Sequence, residues 1–165
     1  MAKEPRKIEE VGEEFLADSA KVQMLSHEFP FPPDAVWKAL RDGETWTKWL
    51  PITEVEWTSP EPFGVGTTRT VWIGKQIVEE VFFAWEEGRR MAFRFDRTTL
   101  PVKAFVEDYQ VHETSNGCRL DWRFRGKAPF LLGPIINGQM KSSGKKGLPV
   151  LETYIRDNPE KFGLS

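Results

Sequence analysis

Between Glu54 and Arg125 apolar side chains recur at alternate positions, and each stretch is cut by turn-forming residues near 60–66, 74–75, 87–89, 98–102 and 115–117. A period of two marks strands that bury one face, so this region predicts six successive antiparallel strands. Strands joined by short turns do not choose their phases independently, because residues directly opposite each other point to the same side of the sheet. Asn116-Gly117, a strong two-residue hairpin signal, sets Cys118 opposite Ser115, Leu120 opposite Glu113, Trp122 opposite Val111 and Phe124 opposite Tyr109. Glu87-Gly88-Arg89 sets Trp85 opposite Met91, Phe83 opposite Phe93, Val81 opposite Phe95 and Glu79 opposite Arg97. Gly74-Lys75 brings Trp72 to Ile77 and Thr70 to Glu79. Taken together, the turns predict one aromatic-rich face carrying Trp57, Thr70, Trp72, Ile77, Val81, Phe83, Trp85, Met91, Phe93, Phe95, Phe105, Val111, Leu120, Trp122 and Phe124.

Such a face must be covered, and the long segment left to cover it runs from Phe130 to Asn158. Ile136, Met140, Gly147, Leu151 and Ile155 form a helical stripe there, while Gly138, Gly144, Gly147 and Pro149 predict a kinked or two-part helix, with Ser143, Gly144 and Gly147 leaving space beneath it. Upstream, residues 22–29 read as a first strand stopped by Pro30, Pro32 and Pro33. Two short helices follow, over 34–40 and about 43–49. The expected architecture is an α+β domain: a curved seven-stranded antiparallel sheet around a long C-terminal helix, with two short helices between strands 1 and 2. It spans 21–158, between a charged extension over 1–20 and a tail over 159–165. In the extension Ile8, Val11, Phe15 and Leu16 recur at helical spacing.

The charge balance is 23 basic against 25 acidic residues, intermixed, so no basic field exists to release counterions from a nucleic acid. A lone cysteine, Cys118, forms no intramolecular disulfide or Cys-rich metal cluster; beside a turn and without a base it reads as a packed thiol. No run approaches the length of a membrane span, and residues 1–20 are too charged for a signal peptide, which leaves a cytoplasmic location as the default. The expected partner is a small hydrophobic molecule, with neither nucleic acid, metal nor cofactor; monomer and homodimer both stay open.

The order strand, two short helices, six strands, long helix resembles the START-related SRPBCC superfamily. Phe29-Pro30-Phe31-Pro32-Pro33-Asp34-Ala35-Val36-Trp37, then Leu40, Asp42, Trp46 and Trp49-Leu50-Pro51, is similar to the opening signature of its polyketide cyclase/dehydrase and lipid-transport branch. Gly64-Val65-Gly66-Thr67, Asn116–Trp122 and Gly147-Leu148-Pro149-Val150-Leu151 extend the likeness over about 22–157. The resemblance implies a helix-grip fold with a deep apolar cavity between sheet and C-terminal helix, and leaves activity open. The cavity is expected to be walled by the sheet residues named above together with Met140, Gly144 and Leu151.

Two polar groups on the predicted inner face can carry chemistry. Glu79 lies between Thr70 and Arg97 on its neighbouring strands, forming either a satisfied ion pair or a group that orients the polar end of a ligand. Glu107 and Tyr109 share a face with Phe105 and Val111, and Glu107 is expected opposite Gly126. There a carboxyl with raised pKa suits proton transfer on a bound ketone, with Tyr109 donating to the oxyanion; the bland alternative is a solvated strand end. His27 and His112 fit neither a metal site nor a triad. Three functions follow: a binder of lipid-like or aromatic molecules, a cyclase-like enzyme using Glu79/Arg97 or Glu107/Tyr109, and an interaction module exposing Phe82 and the leader.

Overall fold

A computed structural model describes residues 3–165, so Met1 and Ala2 of the extension lie outside the described residues. A two-residue strand β1 (Arg6–Lys7) and a 3-10 turn at Glu13–Leu16 precede β2 (Gln23–Phe29). Pro33 begins α1 (Pro33–Arg41), where its fixed φ and missing N–H cost the helix nothing. Asp42 then caps α2 (Gly43–Trp49), its Oδ2 accepting from the Thr45 N–H at 2.9 Å. The strands β3 (Glu54–Trp57), β4 (Thr68–Ile73), β5 (Gln76–Glu86), β6 (Arg90–Thr98), β7 (Ala104–Thr114) and β8 (Gly117–Lys127) lead into α3 (Leu132–Asp157). The sheet runs β2-β8-β7-β6-β5-β4-β3, with β1 added beside β6 as an eighth strand. The α+β helix-grip architecture expected from the sequence is therefore the one observed.

Two strand phases differ from expectation. Trp85 does face Met91 and Glu79 does face Arg97, but Phe82, not Phe83, lies opposite Phe93, and Glu80, not Val81, lies opposite Phe95. One bulge leaves Phe83 unpaired on β5 and a second leaves Asp96 unpaired on β6. Beyond Phe83 the side chains of β5, and with them all of β4, exchange faces. Arg69, Val71, Val78, Glu80 and Phe82 are buried in the interior, whereas Thr70, Trp72, Ile77, Glu79 and Val81 turn to the convex side. The physical reason is local: Val81-Phe82-Phe83-Ala84-Trp85 is apolar at five successive positions, so alternation carries no phase there.

The β7–β8 hairpin differs by two residues. Leu120 pairs with Val111, Trp122 with Tyr109 and Phe124 with Glu107, while Cys118 pairs with Glu113. A shift of two keeps every side chain on its expected face. Gly126 stands opposite Phe105 instead of Glu107.

The extension is a strap, not a helix. β1 pairs with β6 where β7 has diverged from it, and Phe15 and Leu16 cover Ala104, Val106 and Phe83 in a second apolar cluster on the convex face. That cover is what makes an outward Phe83 tolerable. At the other end Phe162 is buried against Tyr154, and Lys161 bonds Asp42 at 3.0 Å.

The helix α3 is one continuous element of 26 residues with Pro149 inside it. Gly144 and Gly147 permit close approach and do not vacate space. A Cβ at Gly147 would lie 2.1 Å from the Trp49 carbonyl oxygen, and one at Gly144 2.4 Å from Leu25 and 2.5 Å from Trp122.

Candidate functional site

Most of the interior is solid aromatic packing. Trp46 meets Tyr109 edge-on at 5.2 Å, Trp49 meets Trp122 at 5.8 Å, and Phe95, Phe105 and Phe124 stack in a row. A cavity of about 290 Å³ remains toward one end, where the α2–β3 connection (Leu50, Pro51, Ile52), the β6–β7 loop (Leu100, Pro101, Val102) and α3 (Ile136, Gln139, Met140, Ser143) converge over β4 and β5. Val71, Ile73, Val78 and Phe95 supply its apolar floor, and Arg69, Glu80 and Glu107 supply one polar wall.

That wall is a tightly buried group. Arg69 is 1% exposed and Glu80 4%, and Arg69 Nε donates to Glu80 Oε2. The guanidinium lies 4.4 Å from the Trp46 ring centre and 4.7 Å from that of Phe93, with Trp57 and Phe82 also around it. Its Nη1 has no hydrogen-bond partner among the described residues. Glu107 Oε1 accepts from Tyr109 Oη at 2.8 Å and from Trp122 Nε1 at 3.0 Å, which leaves Oε2 for the cavity that Glu107 lines.

One guanidinium cannot neutralise two carboxylates. Burial raises the Glu80 pKa, with the Arg69 charge and hydrogen bond opposing. Burial first, and then the negative charge of Glu80, push Glu107 up to about 8. Burial and the neighbouring Glu107 raise the Tyr109 phenol well above its ordinary range. At neutral pH the wall therefore holds an Arg69–Glu80 ion pair beside a protonated Glu107 and a neutral Tyr109, a carboxylic acid able to donate a hydrogen bond.

The linkage sign follows from the raised value. Unfolded Glu107 ionises near 4.5 whereas the folded group keeps its proton to about 8, so the folded state holds more protons across that window and stability falls as pH rises. Between pH 6 and 8 the loss is about 2 kcal/mol. Glu107→Gln retains the Oε1 acceptor and removes the titration. Urea unfolding should show the parent losing stability over this range and the variant losing about 2 kcal/mol less.

The convex-side residues Thr70, Trp72, Ile77, Val81 and Phe83 are excluded from the cavity wall by the β5 bulge. Glu79 and Arg97 do pair, at 3.2 Å, but on the outer surface at 39% and 46% exposure. The inverted phase puts Arg69 and Glu80 inside in their place; sequence pattern pointed away from them because an inward charge is costly until its partner is known. Of the other residues expected to wall the cavity, Phe95 and Met140 line it. Trp57, Trp85, Met91, Phe93, Phe105, Val111, Leu120, Trp122, Phe124 and Leu151 pack the core beyond its wall. Gly144 is closed off by Leu25 and Trp122. Glu107 and Tyr109 are both buried, with Glu107 on the wall and Tyr109 behind it. His27 bridges β2 to Glu152 of α3 at 2.9 Å, His112 faces Asp121 at 3.1 Å, and burial pushes the Cys118 thiol up to about 11. Phe82 is fully buried, so it belongs to no exposed patch.

The strap reaches the cavity rim through one side chain. Arg6 donates from Nη1 to the carbonyls of Thr98 (2.9 Å) and Leu100 (2.8 Å), and from Nη2 to that of Val102 (2.8 Å). Leu100 and Val102 are cavity-lining residues, so Arg6 clamps the rim loop in place. Arg6→Ala should weaken local closure by about 1–2 kcal/mol. The check is amide exchange: the Leu100, Val102 and Lys103 amides should speed up while β7 and β8 are unchanged.

Among the described residues no helix is long and apolar enough to cross a membrane. Residues 21–156 match the family described as polyketide cyclase / dehydrase and lipid transport. Uncharacterized proteins of Mycobacterium tuberculosis and Mycobacterium bovis are 40% identical over 139 residues, covering 78% of this chain and 83% of theirs. A START superfamily protein from Mycobacterium smegmatis superposes with a TM-score of 0.70 at 9% identity, over 82% of this chain and 97% of that one. Ara h 8.0201 superposes with a TM-score of 0.66 at 16% identity, over 83% and 98%. At those identities the two structures share the fold alone, while the match over residues 21–156 places this chain in the polyketide cyclase / dehydrase and lipid transport family.

Proposed function

We propose that the protein binds a small, largely apolar, uncharged molecule that carries one oxygen function, held with that oxygen against the Arg69–Glu80–Glu107 wall. The observation that carries this reading is the make-up of the cavity: Val71, Ile73, Val78 and Phe95 of the sheet and Ile136 and Met140 of α3 are apolar, Gln139 and Ser143 are neutral, and its charged lining groups are Arg69, Glu80 and Glu107. About 290 Å³ suits one or two rings or a short acyl chain. A ligand carboxylate would bring a negative charge that Arg69, already paired with Glu80, does not balance, so a carbonyl or hydroxyl fits better. Protonated Glu107 donates to that oxygen, and affinity falls as Glu107 ionises near pH 8. Native mass spectrometry of the freshly purified protein, followed by organic extraction, tests the reading. The expected result is a co-purifying neutral molecule, or uptake of 2-naphthol that Ser143→Phe reduces at least about tenfold by filling the cavity. Absence of both co-purification and uptake would count against it.

The raised Glu107 pKa favours a second reading, in which the same acid transfers a proton to or from a bound carbonyl compound. Glu107→Gln would then abolish turnover while leaving binding of a ketone ligand within about threefold. Equal turnover by both proteins would remove this version.

A further inference from the structure

Four of the seven large apolar side chains that are exposed among the described residues fall within six positions: Phe130, Leu131, Leu132 and Ile135, at the start of α3. Phe130 is 93% exposed, Leu131 66% and Ile135 54%, and Phe130 has a φ of +50°, a left-handed conformation that a bulky side chain rarely adopts. Such a tip is the wrong composition for a loop that meets only water.

What lies beside it indicates the partner. Gly133 and Pro134, which lie between Leu132 and Ile135 in the chain, line a surface groove of about 550 Å³ whose charged lining residues, Lys21, Arg125 and Lys127, are all basic. The groove floor is fixed by Asn137, which accepts from the Gly126 N–H at 3.1 Å and donates back to the Gly126 carbonyl at 3.3 Å. Arg125 is held over the Phe15 ring at 4.0 Å, while Lys127 pairs with Glu9 at 3.1 Å and Lys21 with Asp18 at 3.6 Å, exposed and weak ion pairs that acidic headgroups can replace. From Lys127 to Leu151 the chain contains four lysines and no carboxylate. On the opposite side of the same helical segment, Ile136 and Met140 line the interior cavity.

We infer that this end of the molecule docks on an anionic lipid surface, with Phe130, Leu131 and Ile135 entering the apolar boundary and the Lys21–Arg125–Lys127 groove facing the acidic headgroups. The chemistry combines two attractions that are each weak alone: burial of a few apolar side chains and attraction of basic ones to surface charge. The inference stands whether or not the cavity holds the ligand proposed above, and it assigns to that cavity a wall facing the bilayer.

Co-sedimentation with vesicles tests it. The protein should bind vesicles of phosphatidylcholine with about one-third phosphatidylglycerol at least roughly tenfold more strongly than phosphatidylcholine alone, and about half-molar salt should remove most of that difference. Phe130→Asn/Leu131→Ser, in which Asn tolerates the left-handed backbone, should lose about tenfold in partitioning while keeping the parent urea midpoint. Lys21→Gln/Lys127→Gln should bind the mixed vesicles no better than the neutral ones. Failure to sediment with either vesicle, or parent-like binding by both variants, overturns the inference. So does a parent that is a dimer in solution and becomes monomeric in Phe130→Asn/Leu131→Ser, since a second copy would then be the occupant of the tip.

Discussion

Arg69→Ala is expected to destabilise the fold by about 3–5 kcal/mol, because it leaves Glu80 buried with no countercharge. Arg69 and Glu80 are almost wholly removed from solvent, and the aromatic rings of Trp46, Trp57, Phe82 and Phe93 enclose the guanidinium. Glu80 in the variant must either take up a proton or draw water into the core, and both are costly. The loss should therefore shrink at low pH, where Glu80 protonates. The double variant Arg69→Met/Glu80→Leu removes both charges and keeps much of the volume, so its stability should return to within about 2 kcal/mol of the parent. Urea unfolding of the three proteins at neutral pH separates a paired charge from ordinary core packing: a double variant as unstable as Arg69→Ala would show that volume, not charge, was responsible. If the pair is retained for ligand contact, the double variant folds and loses uptake of 2-naphthol.

Gly147→Ala should cost about 3 kcal/mol although alanine is the better helix former. The added Cβ would sit 2.1 Å from the Trp49 carbonyl oxygen and 3.1 Å from the Trp49 ring. The first of these is backbone at the end of α2, which cannot rotate away, so α3 must lift from the sheet and loosen the Trp49–Trp122 contact. Gly138→Ala is the matched control on the same helix, with nothing within 4 Å of the new Cβ. It should stabilise by a few tenths to about 1 kcal/mol. Thermal unfolding and intrinsic tryptophan fluorescence check both; equal effects at the two positions would mean that close approach is not what keeps Gly147.

The same glycines show where pattern reading reached its limit. Gly144 and Gly147 were expected to leave volume under the helix, yet a glycine is equally a place where another group comes close, and only the opposing surface decides between them. Strand order, the two short helices and the long covering helix were legible because prolines, turns and alternation all pointed to one arrangement. On β7 and β8 the inward faces were legible even though the hairpin register moved by two, since parity survives an even shift. Phases failed on β4 and β5, where five consecutive apolar residues hid a bulge and a convex-side apolar cluster gave Phe83 an alternative burial site. The bulge at Phe83 moved Glu79 to the surface and concealed Arg69 and Glu80, and the second bulge, at Asp96, took Arg97 outward with it. Glu107 and Tyr109 were visible because theirs was an inward phase set by a hairpin without a bulge. The exposed tip at Phe130–Ile135 lay inside a segment read as helix and lid, so nothing in its period set it apart.

The arrangement links the parts of the chain into one account. The strap contributes Arg6 to the rim of the cavity, β4 and β5 contribute its charged wall, and α3 contributes its cover. The methionines report on this directly, since Met140 lines the cavity, Met91 is buried in the core outside it, and Met24 is exposed. Titrating protein labelled with 13C at the methionine methyls with 2-naphthol should shift the Met140 signal saturably, leave Met24 and Met91 in place, and lose the shift in Ser143→Phe. A Met140 signal that never moves, or a response confined to Met24, would contradict an accessible ligand cavity between sheet and helix.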